Sequence, residues 1–253
     1  MPGSASPRPF RTTLRTVVPF KDERDGIRGL IESLAAFGRA ESERRALEFV
    51  LVDDGSTDGS ADELRKVAAE LDFDHELRIH ETNRGLTEAL RTGSWDADDE
   101  VAVAWLDADL SYRPETLTAL AAAIDDGAEL AISSCHHPKG TLVGVPGWRV
   151  FLSRQASVLH RWNSGAKIRT FTSMVRAQKA RVLRASWPER GGFAGITEQL
   201  LRAIQTGAEV REVPATLHAR TTGRSKIRLM HVIRAHFGLL WEARRGFGQR
   251  SSG

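Results

Sequence analysis

The chain has 253 residues, 41% of them hydrophobic, with 36 Lys or Arg against 33 Asp or Glu and a formal net charge of +3. That is enough apolar material for a full core in one α/β domain, and it excludes a disordered polypeptide. Apolar runs of about six residues fall short of the roughly 20 that a membrane-spanning helix needs, and a lone cysteine, Cys135, excludes an internal disulfide and fits a reducing compartment.

Residues 1–13, rich in Pro, Ser and Arg, read as a disordered leader without the apolar stretch of a secretory signal, which predicts a cytoplasmic protein. Leu14 to Pro19 predicts the first strand. Ile27, Leu30, Ile31 and Leu34 then follow helical spacing and predict a helix ending near Gly38. Leu47 to Val52 predicts a second strand, and the turn Asp53-Asp54-Gly55-Ser56-Thr57-Asp58 leads into a helix from about Ser60 to Leu71. A short strand, Glu76 to His80, passes through Asn83-Arg84-Gly85 into a helix from Leu86 to about Gly93. Val101 to Leu106 predicts a strand closed by Asp107, Pro114 suits the first turn of a helix running to Ile124, and Ala128 to Ser133 predicts a fifth strand. This alternation predicts right-handed crossovers and a mainly parallel sheet.

Beyond Cys135 the pattern changes. A Gly- and Pro-containing stretch precedes a helix from Trp148 to Trp162, and a less regular region extends to Gly195. Helical spacing returns at Ile196, Leu200, Leu201 and Ile204, a strand follows at Glu209 to Val213, and a last helix spans about Ser225 to Arg244 with Ile227, Met230, Ile233, Phe237 and Leu240 on one face. Between Arg220 and Arg250 eight Lys or Arg face one carboxylate, Glu242, which suits phosphate groups or an anionic lipid surface, or else a solvated basic tail.

Carboxylates carry the chemistry. Asp53 and Asp54 follow one buried strand, Asp107 and Asp109 another, and in a doubly wound sheet both sets emerge into one crevice. Asp107 and Asp109, two apart in extended chain, leave on the same side and suit one hard cation; helix capping is the bland alternative.

Four motifs in order, Val18-Pro19-Phe20-Lys21-Asp22-Glu23, the Asp53 to Asp58 turn, Asn83-Arg84-Gly85 and Leu106-Asp107-Ala108-Asp109, resemble an inverting family 2 glycosyltransferase of the GT-A fold. Downstream, Arg220-Thr221-Thr222-Gly223-Arg224-Ser225-Lys226 is similar to a segment of the polyprenol-phosphate (dolichol-phosphate) mannosyl- and glucosyltransferase branch. The resemblance implies a Rossmann-like, mainly parallel sheet flanked by helices, in a single domain ending in an amphipathic helix. It implies a nucleotide-sugar-binding half at 14–135, an acceptor-side half at 136–224 and a basic amphipathic helix with a tail at 225–253. It also implies a nucleoside-diphosphate sugar donor held by Pro19, Phe20, Glu23, Asp54, Asp107, Arg220, Ser225 and Lys226, with Mg²⁺ or Mn²⁺ on Asp109 and Asp107. The implied acceptor is a polyprenyl phosphate at the cytoplasmic membrane surface, reached by peripheral association, and no nucleic acid is expected as a partner.

Glu198 falls at the family's general-base position. It reads as base, acceptor-positioning group or solvent-facing helix residue, because a phosphate acceptor is already ionised and needs no base. His136-His137 reads as an acceptor-side loop, Trp148, Trp162, Trp187 and Trp241 as core, and Gly55 and Gly59 do not form a dinucleotide fingerprint. Where the narrower branch commonly carries Asp-x-Thr-Ser-Gly-Phe-Arg, this chain reads Arg169-Thr170-Phe171-Thr172-Ser173-Met174-Val175-Arg176, and Ser111 stands where Gln is frequent. Two other readings therefore accompany the lipid acceptor: a soluble hydroxyl or amine acceptor such as a natural product or glycan, and a non-catalytic binding module.

Overall fold

The structure, a computed structural model, describes residues 12–219 together with Gly238 and Trp241. Strand and helix alternate through the first half: β1 (Leu14–Phe20), α1 (Arg24–Glu41), β2 (Leu47–Asp53), α2 (Ser60–Glu70), β3 (Glu76–Ile79), α3 (Leu86–Ser94), β4 (Ala102–Trp105), α4 (Thr116–Asp125) and β5 (Leu130–Ser134). Every element expected in this half is present, with ends shifted by at most three residues. β1 lies between β2 and β4 with parallel pairing on both sides, and β3 adds in parallel to β2. Successive strand residues point to opposite faces. Val18, Leu51 and Ala104 accordingly pack under α1, α2 and α4, whereas Val17, Val50, Val52 and Val103 pack under α3.

The second half contains β6 (Thr141–Val143), α5 (Gly147–Ser164), β7 (Arg176–Lys179), α6 (Ala180–Ala185), α7 (Gly192–Gln205), β8 (Val210–Pro214) and β9 (Thr216–His218). Among the described residues the main sheet runs β3-β2-β1-β4-β7-β5-β8, and β6 pairs with β9 beside it. β7 is antiparallel to both β4 and β5. Its four residues, Arg-Ala-Gln-Lys, lack β-branched side chains, so the region from 163 to 195 read as irregular. Tertiary pairing overrides that preference: the Arg176 and Gln178 side chains are fully buried and find polar partners in α7.

An antiparallel strand delivers the chain preceding it to the same edge as the carboxyl ends of its parallel neighbours. Arg176 pairs with Trp105, so residues 170–175 arrive beside Asp107. α7 starts at Gly192 rather than Ile196, and within its first turn a Cβ on Gly195 would collide with the Arg190 carbonyl, so that position requires glycine. No helix among the described residues is long and apolar enough to cross a membrane. Arg220, Ser225 and Lys226 lie outside the described residues, as does the helix expected from Ser225 to Arg244 apart from Gly238 and Trp241.

Candidate active site

The strand order reverses at β1: the chain moves outward through β2 to β3 and then returns to β4 on the other side. Loops leaving the carboxyl ends of β1, β2 and β4 gather at this switch point, where ligands of open α/β sheets bind. The loops after β1 and β2 are stapled together. The Asp22 amide donates to Ser56 Oγ at 2.9 Å, the Glu23 amide to Ser60 Oγ at 2.9 Å, the Arg24 amide to Asp58 Oδ2 at 3.1 Å, and the Thr57 amide to Asp22 Oδ1 at 2.9 Å. Lys21 Nζ donates to the Gly55 carbonyl at 2.8 Å. Gly55 has φ of +71° and its Cα approaches residues 82–83 so closely that a Cβ would sit 2.6 Å from the Asn83 nitrogen, so only glycine fits.

Asp54 is buried and accepts three hydrogen bonds, from the Arg84 amide, the Gly85 amide and His80 Nδ1, each at 2.8 Å. The Asp-Asp and Asn-Arg-Gly motifs, about thirty residues apart by any count along the chain, are thus one device in which a carboxylate shapes the turn that precedes α3. Glu23 occupies the N-cap position of α1, where its side chain makes no capping hydrogen bond, and is half-exposed. Pro19 pairs with Val52 at the end of β1. The Phe20 side chain lies in the core, and its carbonyl accepts the Asp54 amide at 2.9 Å.

Asp107 and Asp109 are half-buried in the loop after β4. Asp109 Oδ1 accepts the Ser111 amide at 2.9 Å, and the next residue, Leu110, has φ of +53°. A left-handed leucine costs on the order of 1–3 kcal/mol and persists only where its surroundings fix it. Asp22, with φ of +52°, holds the same conformation in the facing loop.

Asp107 opens into a cavity of about 420 Å³ whose walls include Ser111, Tyr112, His136, Arg149, Ser153 and Thr172. The apolar part of the wall comes from Leu142, Val145, Val150, Met174, Phe193 and Leu217. Hydroxyls form short relays: Ser133 with Ser173 at 2.7 Å, Ser134 with Thr170 at 2.7 Å, and Ser153 with Thr172 at 2.8 Å. His136 Nε2 lies 3.2 Å from Ser153 Oγ, and burial, aided by Arg154, pushes the imidazole below its usual pKa. Burial pushes both the Tyr112 phenol and the Cys135 thiol up. His218, whose amide donates to the Ser111 carbonyl at 2.8 Å, completes the rim from β9.

Glu198 is not solvent-facing, which corrects one of its three readings: it is 1% exposed. Its carboxylate accepts the Glu189 amide at 3.1 Å and the Arg190 amide at 3.0 Å and pairs with Arg202 Nε at 2.7 Å, outside the cavity wall. Trp187 packs in the core as expected, but Trp148, Trp162 and Trp241 are exposed. The helical period located α5 without telling which face turns inward. Arg149 and Ser153, four residues apart and so on one face, escaped notice for the same reason.

An open α/β sheet with acidic loops at its switch point and a polar cavity beyond them defines the class: this is a GT-A fold. Solved structures agree. Glucosyl-3-phosphoglycerate synthase from Mycobacterium tuberculosis, in complex with Mn²⁺, UDP-glucose and phosphoglyceric acid, superposes with a TM-score of 0.66 at 18% identity over 91% of this chain and 80% of that one. The model of the family described as glycosyl transferase family 2 matches residues 16–181. Polyprenol monophosphomannose synthase of Mycolicibacterium smegmatis is 33% identical over 98% of this chain and 93% of its own length. Undecaprenyl-phosphate mannosyltransferase of Micrococcus luteus is 32% identical over 84% and 86%. The chain belongs to glycosyl transferase family 2 and is a glycosyltransferase. That membership sets aside the non-catalytic reading.

Proposed function

We propose that the chain transfers a sugar, with inversion, from a nucleoside-diphosphate sugar to a polyprenyl phosphate. The observation that carries this is the mixed lining of one cavity, which combines Asp107, the polar group of Arg149, Ser153 and Thr172, and the apolar side chains of Val145, Val150, Phe193 and Leu217. A lipid phosphate has matching parts: an anion for the guanidinium and hydroxyls, and prenyl carbons for the apolar wall. The relatives named for polyprenol and undecaprenyl phosphate support the same acceptor and make mannose the first sugar to test.

Asp107 and Asp109 fit a hard divalent cation such as Mg²⁺ or Mn²⁺: both offer carboxylate oxygens at a half-exposed edge. Among the described residues no three His, Cys, Asp or Glu side chains gather as a closed cage. Such a pair suits an ion that completes its shell with water and diphosphate oxygens. When bound, the ion supplies Lewis-acid stabilisation of the departing diphosphate. On the donor side, Glu23 and the turn built by Asp54, framed by Pro19 and Phe20, would border the nucleoside, with Arg220, Ser225 and Lys226 as phosphate ligands.

An acceptor phosphate oxygen attacks the anomeric carbon while the bond to the diphosphate breaks and its electron pair leaves with the nucleotide. With a second pKa near ~6 that oxygen is already ionised, so no side chain has to remove a proton. Glu198 then acts as a positioning residue: its carboxylate fixes residues 189–190, just ahead of Phe193 in the cavity wall.

The test is transfer of labelled sugar from a panel of nucleotide sugars into undecaprenyl phosphate with Mn²⁺. An extractable, mannose-labelled lipid is expected, its formation lost on chelation, with Glu198→Gln retaining turnover within about tenfold. Transfer to hydroxyl acceptors alone, with Glu198→Gln lowering it by roughly 10² to 10⁴-fold, would replace the lipid reading with a soluble acceptor.

A further inference from the structure

α5 is turned inside out relative to an ordinary surface helix. Only Ser157 and His160 are buried along its 18 residues. Trp148, Phe151, Val158, Leu159 and Trp162 are 56, 61, 52, 40 and 74% exposed. At 3.6 residues per turn these five side chains fall within one stripe about 100° wide, the width of a face that normally seeks an apolar partner. Val143 and Leu142 on the adjoining β6 are exposed as well and widen the patch.

The charges along α5 narrow the choice of partner. Arg154 and Arg161 border the stripe on one side and Arg149 on the other, and the helix contains neither Asp nor Glu. Lys167 and Arg169 follow within two turns' length of chain. A second copy packed across a two-fold axis would set these arginines against their own duplicates without a carboxylate between them. A bilayer with anionic headgroups meets both features at once, taking the apolar stripe at its surface and the arginines at its phosphates. Tryptophan in the first and the last turn adds the amphipathic rings favoured at headgroup depth. The helix is not apolar enough to cross.

We propose that the outer face of α5 docks the enzyme on an anionic bilayer, which rests on the lipid-acceptor reading and deepens it. Arg149, Val150 and Ser153 on the same helix line the cavity. These residues lie on the side of α5 away from the apolar stripe, so a helix lying along the headgroups holds the cavity about one helix diameter, roughly 10 Å, from the bilayer surface, within reach of the phosphate of a membrane-anchored prenyl chain. The sequence suggested docking through the C-terminal segment, which lies outside the described residues apart from Gly238 and Trp241; α5 offers a docking face in the middle of the chain.

The experiment sediments the full chain with vesicles of phosphatidylcholine, with and without phosphatidylglycerol, and repeats it with the double variant Phe151→Glu, Val158→Glu. The wild type should sediment with the anionic vesicles and be partly released by salt. The variant should bind at least about tenfold more weakly and melt at the wild-type temperature. It should also keep wild-type turnover on a short, water-soluble prenyl phosphate while losing it on a long-chain acceptor embedded in vesicles. A wild type that stays in the supernatant with both vesicles, or a variant that binds as well as wild type, would overturn the proposal. So would a wild-type dimer that the variant splits while vesicle binding is absent, since the face would then belong to a second copy. If docking depends on α5 yet no prenyl phosphate, short or long, accepts sugar, docking stands and the acceptor reading falls.

Discussion

In the loops at 21–24, 54–60 and 83–85, polar side chains bond to backbone: Asp22, Asp53, Asp54, Ser56, Asp58 and Ser60 each accept at least one amide from another residue of these loops. Around the cavity they bond to each other: Ser133 to Ser173, Ser134 to Thr170, Ser153 to Thr172, and His136 to Ser153. The first pattern fixes the course of the chain, because an amide cannot reorient without moving its neighbours. The second fixes little, because a hydroxyl rotates and serves as donor or acceptor as required. Under the proposed function, the rigid side is the one that would receive the nucleotide, and the side with rotatable polar groups is the one that would receive a lipid phosphate and release a glycosylated one.

Substitutions can break that contrast. At the seam between the sides, Asp109→Asn should lower turnover at least about a hundredfold, on the order of 3 kcal/mol of barrier, while leaving the melting temperature unchanged. Steady-state kinetics with either Mg²⁺ or Mn²⁺ checks this, and full activity would remove the carboxylate from the mechanism.

On the rigid side, Asp54→Ala leaves two amides and His80 without their acceptor. It should cost about 2–3 kcal/mol of stability and roughly 4–12 °C of melting temperature. Faster hydrogen exchange at Arg84 and Gly85 would locate the loss. An unchanged melting temperature would show that the turn holds its shape unaided.

Arg149→Ala probes the adaptable side. It should raise the KM for the phosphate acceptor by about tenfold, near 1.4 kcal/mol, with the donor KM and the melting temperature unaltered. A change in the donor KM instead would place Arg149 on the nucleotide.

The smallest effect concerns Asp58. Burial alone would raise its pKa, but hydrogen bonds from the Ser60 hydroxyl and the Arg24 and Ser60 amides outweigh it and hold the carboxyl below the usual range. A folded-state pKa below the unfolded one stabilises the protein above the unfolded value, and that stabilisation is lost as the pH falls through the lowered one. Asp58→Asn should therefore flatten the acid limb of the melting-temperature profile below about pH 4 and change little at pH 7.

The contrast also explains what was readable in advance. The rigid side is written in contiguous motifs that follow β-branched runs, so the loops bearing Asp54, Asp107 and Asp109 could be placed at the carboxyl ends of two parallel strands before any coordinates. Its internal wiring was not readable, since nothing local says that Asp54 bonds residues 84 and 85. The cavity draws Tyr112, His136, Arg149, Thr172, Phe193 and His218 from separate segments, each a common residue in an unremarkable context. β7 was hidden because Arg176, fully buried with its pKa pushed down to about 9 by burial, is charged at neutral pH inside a sheet. It finds the Ile196 carbonyl and Gln199 Oε1 rather than a carboxylate, an arrangement that no propensity anticipates.

The antiparallel β7 also imposes an order of assembly. β1 to β4 can pair as the chain emerges, but β4 and β5 are both bonded to β7, whose last residue is Lys179. During synthesis β5 must wait some forty residues, as a buried-type apolar strand with open edges, until β7 leaves the ribosome at roughly 5–20 residues per second. For those few seconds Leu130 to Ser134 is the segment most in need of a chaperone, and a synonymous-codon pause placed between β5 and β7 should lower soluble yield more than the same pause after β8.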